Sequence, residues 1–421
     1  MLDIEFIRDN QELVKRAADK KGVDFDINQL MEVDDKRRKL KTEVDNMRQR
    51  QNEIPDKISQ VNDQIKRNEL IDKAQDLKEE LQEKEDKLKS TKEDWQRLMM
   101  DVPNIPDMSV PAGEDESDNK QLKTWGQKPH FDFDAKDHVD LMKTNNLADF
   151  KRGQKVHGFR GYYLKGAGAQ LSWAIWNYAR DFFSEFDFQP FLPPAVVRKQ
   201  YFFGTGHLPS EAEDLYKTQD DELLSGTAEI PMMAYHADEV LEQSDLPKRY
   251  LAFSPCYRRE AGSHGKDTKG VFRVHEFYKL EQLMLCEASH ERSVELHEEI
   301  TENTEKFLQS LELPYEQEII CGGDLMKSKV KSYDLKLWIP SEKRYREIAS
   351  SSYYHDYQTR RFNIKYQDSE GKKRYVHSLN GTAIPTPRAL VAIVENYQNA
   401  DGSITVPEAL RSYCGTDKIG A

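Results

Sequence analysis

From Ile27 to Asp101 the chain runs without a glycine and with a single proline, Pro55. Apolar residues recur there at Leu30, Val33, Leu40, Val44, Met47 and Ile54, in steps of three, four and seven, with Arg37 and Gln51 filling the gaps. A second series runs Leu70, Ala74, Leu77, Leu81, Leu88, Trp95 and Leu98, with Lys84 and Thr91 at two seam positions. Heptads on two adjoining segments predict two long helices packed as an antiparallel coiled coil. The reversal is expected between Gln60 and Asn68, where seam residues thin out. Each helix would hold about 35 residues, or roughly 50 Å at 1.5 Å per residue. An arm that long cannot fold back into a compact core, so it should project into solvent. Over residues 1–100, 22 Lys and Arg nearly cancel 25 Asp and Glu. Charge alone therefore leaves a solvated coiled coil, a protein partner and nucleic acid all open, despite the basic run Lys36 to Lys39 with Lys41.

Composition bounds the rest. The chain of 421 residues is long enough for two or three domains, and a net charge of −13 gives no global pull towards nucleic acid. The four cysteines are far apart and form no C-x-x-C pair, which suits a reducing compartment and argues against a disulfide framework or structural zinc. No ligand-like histidine spacing occurs; His290 and His297 lie among glutamates on a predicted surface helix and are expected to be solvated. The acidic start is unlike a signal peptide, and no apolar run approaches 18 residues. A cytoplasmic protein without a membrane span is expected.

Beyond residue 101, DVPNIPDMSVPAGEDESDNK has the composition of a linker. We expect a helical domain over 1–105 and a second domain over 106–421. The latter offers a helix at GAGAQLSWAIWNYARDFFSEF and a strand at QPFLPPAVV. Further strands fall at YLAFSPCYRRE, GVFRVHEFYKLEQLMLC, SYDLKLWIP and RYREIASS, and helices at His290–Leu311 and Pro387–Asn399. Consecutive strands flanked by helices predict an α+β fold on an antiparallel sheet. Neither common glycine-rich nucleotide loop is present, so an ATP site would have to be built on that sheet.

Within Phe253–Glu281, Arg258 and Glu260 alternate, and Arg273, His275, Phe277 and Glu281 keep the same two-residue phase. Charge inside a strand is costly unless paired or facing a ligand. Two arginines beside an aromatic ring suit a nucleotide, whereas cross-strand salt bridges on a surface hairpin would look the same. Three smaller constellations stand beside it. Thr227, Ala228 and Glu229 precede an apolar helix, with Thr227 as its expected cap. Glu347 and Ser350 place a carboxylate and a hydroxyl three residues apart at an expected strand end, a pair able to hold magnesium. NGTAIPTPRALVAIVENYQ reads as a turn leading into a helix. Its Arg388 opposes the dipole of the first turn, as it would beside a bound anion.

Taken in order, the proline-bearing helix–strand, the strand–loop–strand with Tyr257-Arg258-Arg259-Glu260 and the strand–helix ending in Pro387-Arg388 resemble the three motifs of class II aminoacyl-tRNA synthetases. Within that class the chain is similar to bacterial-type seryl-tRNA synthetases over its whole length. The similarity runs through the helical arm, SGTAE, REAGSHGKDTKGVFRVHEF, RYREIASSS, QTRR and HSLNGTAIPTPR with ENYQNADGSITVPEAL. The resemblance implies activation of L-serine with ATP, release of pyrophosphate, and transfer of the seryl group to tRNA-Ser. Whether selenocysteine tRNA is also charged stays open.

The resemblance further implies roles for single residues. Arg258 would hold the α-phosphate, Glu260 the adenine end, and Phe277 would stack on the base, with Val274 alongside. Arg273 and Arg388 would take the β- and γ-phosphates, and Arg259, Ile348 and Ala349 would complete the ATP site. Glu347 with Ser350 would bind Mg2+. Thr227, Ala228, Glu229, Arg258, Glu281, Asn380 and Thr382 would receive serine, and the reacting centre would rest on Arg258, Glu347 and Arg388. The arm would grip tRNA-Ser, and Pro193-Pro194 would lie at a homodimer interface. The chain departs from the family at Tyr353-Tyr354-His355, where many members carry Asn-Cys-Gly, and at Ala349, where Ser is frequent. The alternatives are a synthetase-like ligase acting on a carrier protein, which usually lacks the arm, and a non-catalytic RNA-binding paralogue, which loss of Arg258, Glu281, Glu347 or Arg388 would favour, whereas all four are present.

Overall fold

The computed structural model describes residues 1–263, 265 and 267–420. It divides into two compact units, one of residues 1–19 and 23–103 and the other of residues 20–22 and 104 onward.

In the first unit, helices α1 (Ile27–Ser59) and α2 (Gln64–Asp101) form the expected pair. Each starts on an aspartate: Asp26 accepts from the amides of Asn28 and Gln29, and Asp63 from those of Ile65 and Lys66. Such caps satisfy amides that the first helical turn leaves unpaired. Leu40, Val44 and Met47 of α1 meet Leu81 and Leu88 of α2 in a buried seam. The polar residues that interrupt the heptads are also used. Lys84 reaches Glu43 across the seam at 2.5 Å. Arg37 lies 4.5 Å over the Trp95 ring and pairs at 2.6 Å with Asp34, which is fully buried and also bound by Arg8. A buried carboxylate needs such compensation.

The second unit is built on one sheet. Its strands are β1 (Lys120–Trp125), β2 (Gln189–Phe191), β3 (Lys248–Tyr257), β4 (Glu276–Cys286), β5 (Tyr315–Ile319), β6 (Lys331–Ile339), β7 (Arg344–His355) and β8 (His377–Pro385). Among the described residues they lie in the order β1-β5-β6-β7-β8-β4-β3-β2. All pair antiparallel except β2 with β3. Helices α3 (Ala167–Phe183), α4 (Glu229–Tyr235), α5 (His290–Ser310) and α6 (Thr386–Asn396) flank it.

Strand alternation divides β4 between two environments. Leu280, Met284 and Cys286 enter the main core with Ile175 and Phe183 of α3, Ile300 and Phe307 of α5, and the unbroken apolar run Ala389–Val394 of α6. Each large apolar side chain buried there contributes roughly 1.5–3 kcal/mol. Leu283 and Leu285, on the other face, pack on Met232 and Met233 of α4. Phe277, Lys279 and Glu281 continue that second face towards its open end.

Several sequence expectations need correction. QPFLPPAVV is not one strand: it gives β2 and a separate strand, Val196–Arg198, in a small sheet. NGTAIP is the interior of β8 and not a turn. Residues of the presumed linker are docked: buried Asn104 donates to the carbonyls of Ser328 and Tyr354, and Val110 packs with Ile320 and Leu325. His297 is not solvated. It is fully buried, stacked 4.8 Å from Tyr333, with Nε2 3.2 Å from Ser351 Oγ, and burial depresses its pKa to about 3. The glutamates around it mark the outer side of α5, a distinction that needs helical phase and not local composition.

Candidate active site

The open end of the second sheet face forms a pocket of about 430 Å3. Its arginine-lined end is made mostly by residues that leave the strands. Strand β3 stops at Tyr257 and β4 begins at Glu276, so Arg258, Glu260, Arg273 and His275 sit on the connecting segment and not inside strands as their spacing predicts. Glu260 has φ +55°, an uncommon conformation for a non-glycine residue. Arg258 donates to the Gly226 carbonyl at 3.3 Å and lies 5.5 Å from the Phe277 ring centroid. A Cβ at Gly226 would come within 3.1 Å of the Arg258 side chain, so the glycine allows this close passage. Arg273 pairs with Glu260 at 2.7 Å and with Asp267 at 3.3 Å. Arg346, which lines the back of the same segment, also holds Asp267 at 2.8 Å. His264 and Lys266 of this segment lie outside the described residues.

Two bulges aim the remaining groups. Ala349 opposes Leu335 and Glu347 opposes Lys336, so Ile348 is an extra residue in β7. Residues three apart in a regular strand face opposite ways; the bulge turns Glu347 onto the face of Ser350, Ser352 and Tyr354. The pair therefore lies inside a strand of twelve residues, not at a strand end. A second bulge, between Thr382 and Ile384 of β8, brings Pro385 back to the pocket side and leads into α6, whose Arg388 reaches the Glu347 carboxylate at 3.2 Å and its carbonyl at 2.8 Å. Arg388 draws the Glu347 carboxyl below its ordinary range. Burial, reinforced by the Glu347 charge, pushes neighbouring Asp334 upward.

The other end is buried and densely hydrogen-bonded. Glu281 Oε2 accepts from the Thr227 hydroxyl at 2.5 Å, the Ala228 amide at 3.1 Å and the Lys279 ammonium at 3.1 Å. Lys279 also donates to Thr227 at 3.0 Å. Gln358 holds Glu229 at 2.6 Å, and the Tyr354 hydroxyl donates to Asn380 Oδ1 at 3.0 Å. Thr382 lies directly opposite Glu281 in the β8–β4 register. Thr227 is not the side-chain cap of α4 in the ordinary position: the helix begins at Glu229 after Ala228, though the Glu229 amide does donate to the Thr227 hydroxyl.

The pocket thus gathers Thr227, Glu229, Arg258, Glu260, Arg273, Val274, Phe277, Glu281, Glu347, Ile348, Ser350, Asn380, Thr382 and Arg388. Ala228 contributes its amide. The structure does not bring two expected side chains to the pocket. Arg259 turns to the Glu213 carbonyl, and Ala349 is buried in the main core. Sequence reasoning missed Lys279, Ser352 and Tyr354, although Lys279 shares the phase of Phe277 and Glu281, and Ser352 and Tyr354 that of Ser350. It also missed Asp214, whose carboxylate and carbonyl accept from the amides of Ala261 and Arg259, and nothing in the sequence signals that long-range contact.

The arrangement sets Arg258, Arg273 and Arg388 at one end of the pocket and the hydrogen-bonded Glu281 carboxylate at the other. Residues 1–106 match the seryl-tRNA synthetase N-terminal domain family, and residues 215–397 match the class II tRNA synthetase core domain for Gly, His, Pro, Ser and Thr. The serine–tRNA ligase of Deinococcus radiodurans is 42% identical over 420 residues, covering 100% of this chain and 99% of that protein. The chain belongs to the seryl-tRNA synthetase family. The serine–tRNA ligase of Thermodesulfovibrio yellowstonii is 40% identical over the full length of both. Among solved structures, seryl-tRNA synthetase from Pyrococcus horikoshii complexed with ATP has a TM-score of 0.90 at 37% identity, covering 100% of this chain and 99% of the other. The cytoplasmic serine–tRNA ligase from Naegleria fowleri in complex with AMP gives 0.88 at 28%, covering 100% and 98%. This synthetase is accordingly an enzyme, a serine–tRNA ligase, with the expected α+β fold and long helices. Among the described residues no helix is long and apolar enough to cross a membrane.

The magnesium expectation can be tested on the donor set. The Glu347 side chain is 47% exposed, and Ser350 offers a hydroxyl on the same face. Hard oxygen donors of this kind hold magnesium together with water and substrate phosphates. Among the described residues no three His, Cys, Asp or Glu side chains form a cage of their own, so the fit is to an ion shared with substrate.

Proposed function

We propose that the pocket joins serine to ATP at the boundary between its two ends. The observation that carries this reading is the fixed Glu281 carboxylate, with Oε2 engaged by three donors, beside a mouth lined by Arg258, Arg273 and Arg388. Serine would enter with its ammonium and hydroxyl towards Glu281, and Thr382 with Asn380 would complete recognition of the hydroxyl. Its carboxylate is ionised at neutral pH and needs no general base, so the chain's contribution is to position it against the α-phosphorus and to balance phosphate charge. Arg258 would hold the α-phosphate while Phe277 stacks on the base. Arg273 and Arg388 would take the departing pyrophosphate, exchanging their present carboxylate partners for phosphate oxygens. Magnesium held at Glu347 and Ser350 would supply further neutralisation of the phosphates. The seryl group would then pass from the adenylate to the terminal adenosine of tRNA-Ser.

The helical unit, residues 1–105 in this reading, would bind tRNA-Ser. The enzyme would work in the cytoplasm as a homodimer with Pro193-Pro194 at its interface. Retention of the N-terminal domain and of the pocket arginines speaks against a carrier-protein ligase and a non-catalytic paralogue. Deleting residues 30–98 is expected to spare serine-dependent adenylate formation and abolish charging of tRNA-Ser. Charging that survives the deletion would remove the arm from the account.

A further inference from the structure

Tyr354 occupies the amino-acid end of the pocket in a way no spacing argument anticipates. It is the extra residue of a third bulge: Tyr353 opposes Leu379 and His355 opposes Ser378, so Tyr354 has no cross-strand partner. His355 closes that bulge at φ +49°, a conformation that suits the glycine many family members carry there. The bulge directs the Tyr354 ring into the pocket beside Ser352, with 3% of the residue exposed. It is held from both sides. Its carbonyl accepts from Asn104 Nδ2 at 2.8 Å, and its hydroxyl donates to Asn380 Oδ1 at 3.0 Å. Glu229 and Glu281 add their negative charge around a phenol that burial already keeps protonated.

We infer that Tyr354 is a specificity-determining residue, whose ring sets the size of the amino-acid end against the extra methyl group of threonine and whose hydroxyl fixes Asn380 for the serine side chain. The inference rests on the assignment of that end to serine. A rigid aromatic wall excludes a larger side chain because a close-packed site tolerates an added methyl poorly. One methyl in such a pocket is worth roughly 10- to 200-fold in kcat/KM. The ring is anchored at its backbone and at its hydroxyl, so it cannot yield by simple rotation.

The test is amino-acid-dependent exchange of pyrophosphate into ATP, with serine and threonine, for the parent, Tyr354→Leu and Tyr354→Phe. Exchange by the parent with serine checks the underlying assignment; the threonine-to-serine ratio tests Tyr354 alone. The leucine variant should raise that ratio of kcat/KM at least tenfold. The phenylalanine variant should keep the ratio within threefold of the parent and raise the serine KM several-fold. A leucine variant that melts like the parent but leaves threonine at background overturns the inference, as does a phenylalanine variant with the parental serine KM. Should the leucine variant not fold, Tyr354→Met removes the ring in the same way and is read by the same threonine-to-serine ratio, with an unchanged ratio in a folded variant overturning the inference.

Discussion

The two ends of the pocket are stabilised in opposite ways. At the end proposed for the nucleotide, two arginines are engaged by carboxylates in partly exposed ion pairs: Arg273 with Glu260 and Asp267, Arg388 with Glu347. These pairs line the open pocket, so an incoming phosphate can replace a carboxylate as the arginine's partner. At the end proposed for serine, Thr227, Glu229, Lys279, Glu281, Asn380 and Tyr354 are each less than a tenth exposed, and their hydrogen bonds tie three strands, β4, β7 and β8, and the start of α4 into the wall of the pocket. Removing one partner there leaves a buried polar group unsatisfied, which costs far more. The difference teaches that, under the proposed assignment, selectivity for the amino acid would be built in before substrate arrives, while phosphate binding would be a change of partners on the arginine side chains.

Four substitutions probe that contrast. Glu281→Gln should be the most damaging, because it strips the charge that Lys279 and the substrate ammonium both require; kcat/KM for serine should fall by roughly 100- to 1,000-fold, with ATP KM within a few-fold. Arg388→Ala should lower kcat by roughly 100-fold through lost phosphate stabilisation, with little change in serine KM. Equal effects of both variants on serine and ATP parameters would break the division between the ends. Gln358→Leu removes the partner of buried Glu229 without touching substrate and should raise serine KM by about tenfold. Asp267→Asn, at the other end, loosens a partly buried network in which Arg273 keeps Glu260 and Arg346 keeps Glu342, and should change ATP KM by less than about fivefold. Steady-state pyrophosphate exchange at varied serine and ATP reads all four.

The same contrast explains how far the sequence could be read. The coiled-coil helices were legible because heptads report directly on one local geometry, and even their polar interruptions, Arg37 and Lys84, fall at positions where the structure gives them partners. Their use was not legible: nearly balanced charge favours no partner, and the family match supplied it. In the catalytic unit the participating residue types were legible, since arginines, a ring and carboxylates in alternation are expensive to bury for nothing. Their placement was not. Arg258, Glu260 and Arg273 continued a two-residue phase that the backbone abandons at Tyr257 and resumes at Glu276. Glu347 and Ser350 share a face only because of a bulge at Ile348, and a bulge leaves no mark in spacing. Lys279 could have been found, because it sits between two residues already assigned to that face. Docking of Asn104 against the back of the pocket depends on contacts more than 200 positions away, beyond any local pattern.

The most direct measurement is exchange of labelled pyrophosphate into ATP by the purified full-length protein with magnesium, compared across serine, threonine, alanine and cysteine. The account predicts exchange dependent on serine, with alanine rejected because it leaves Glu281, Asn380 and Thr382 without the hydroxyl they face, and threonine rejected by size. Exchange absent with serine, or as rapid with alanine, would contradict it.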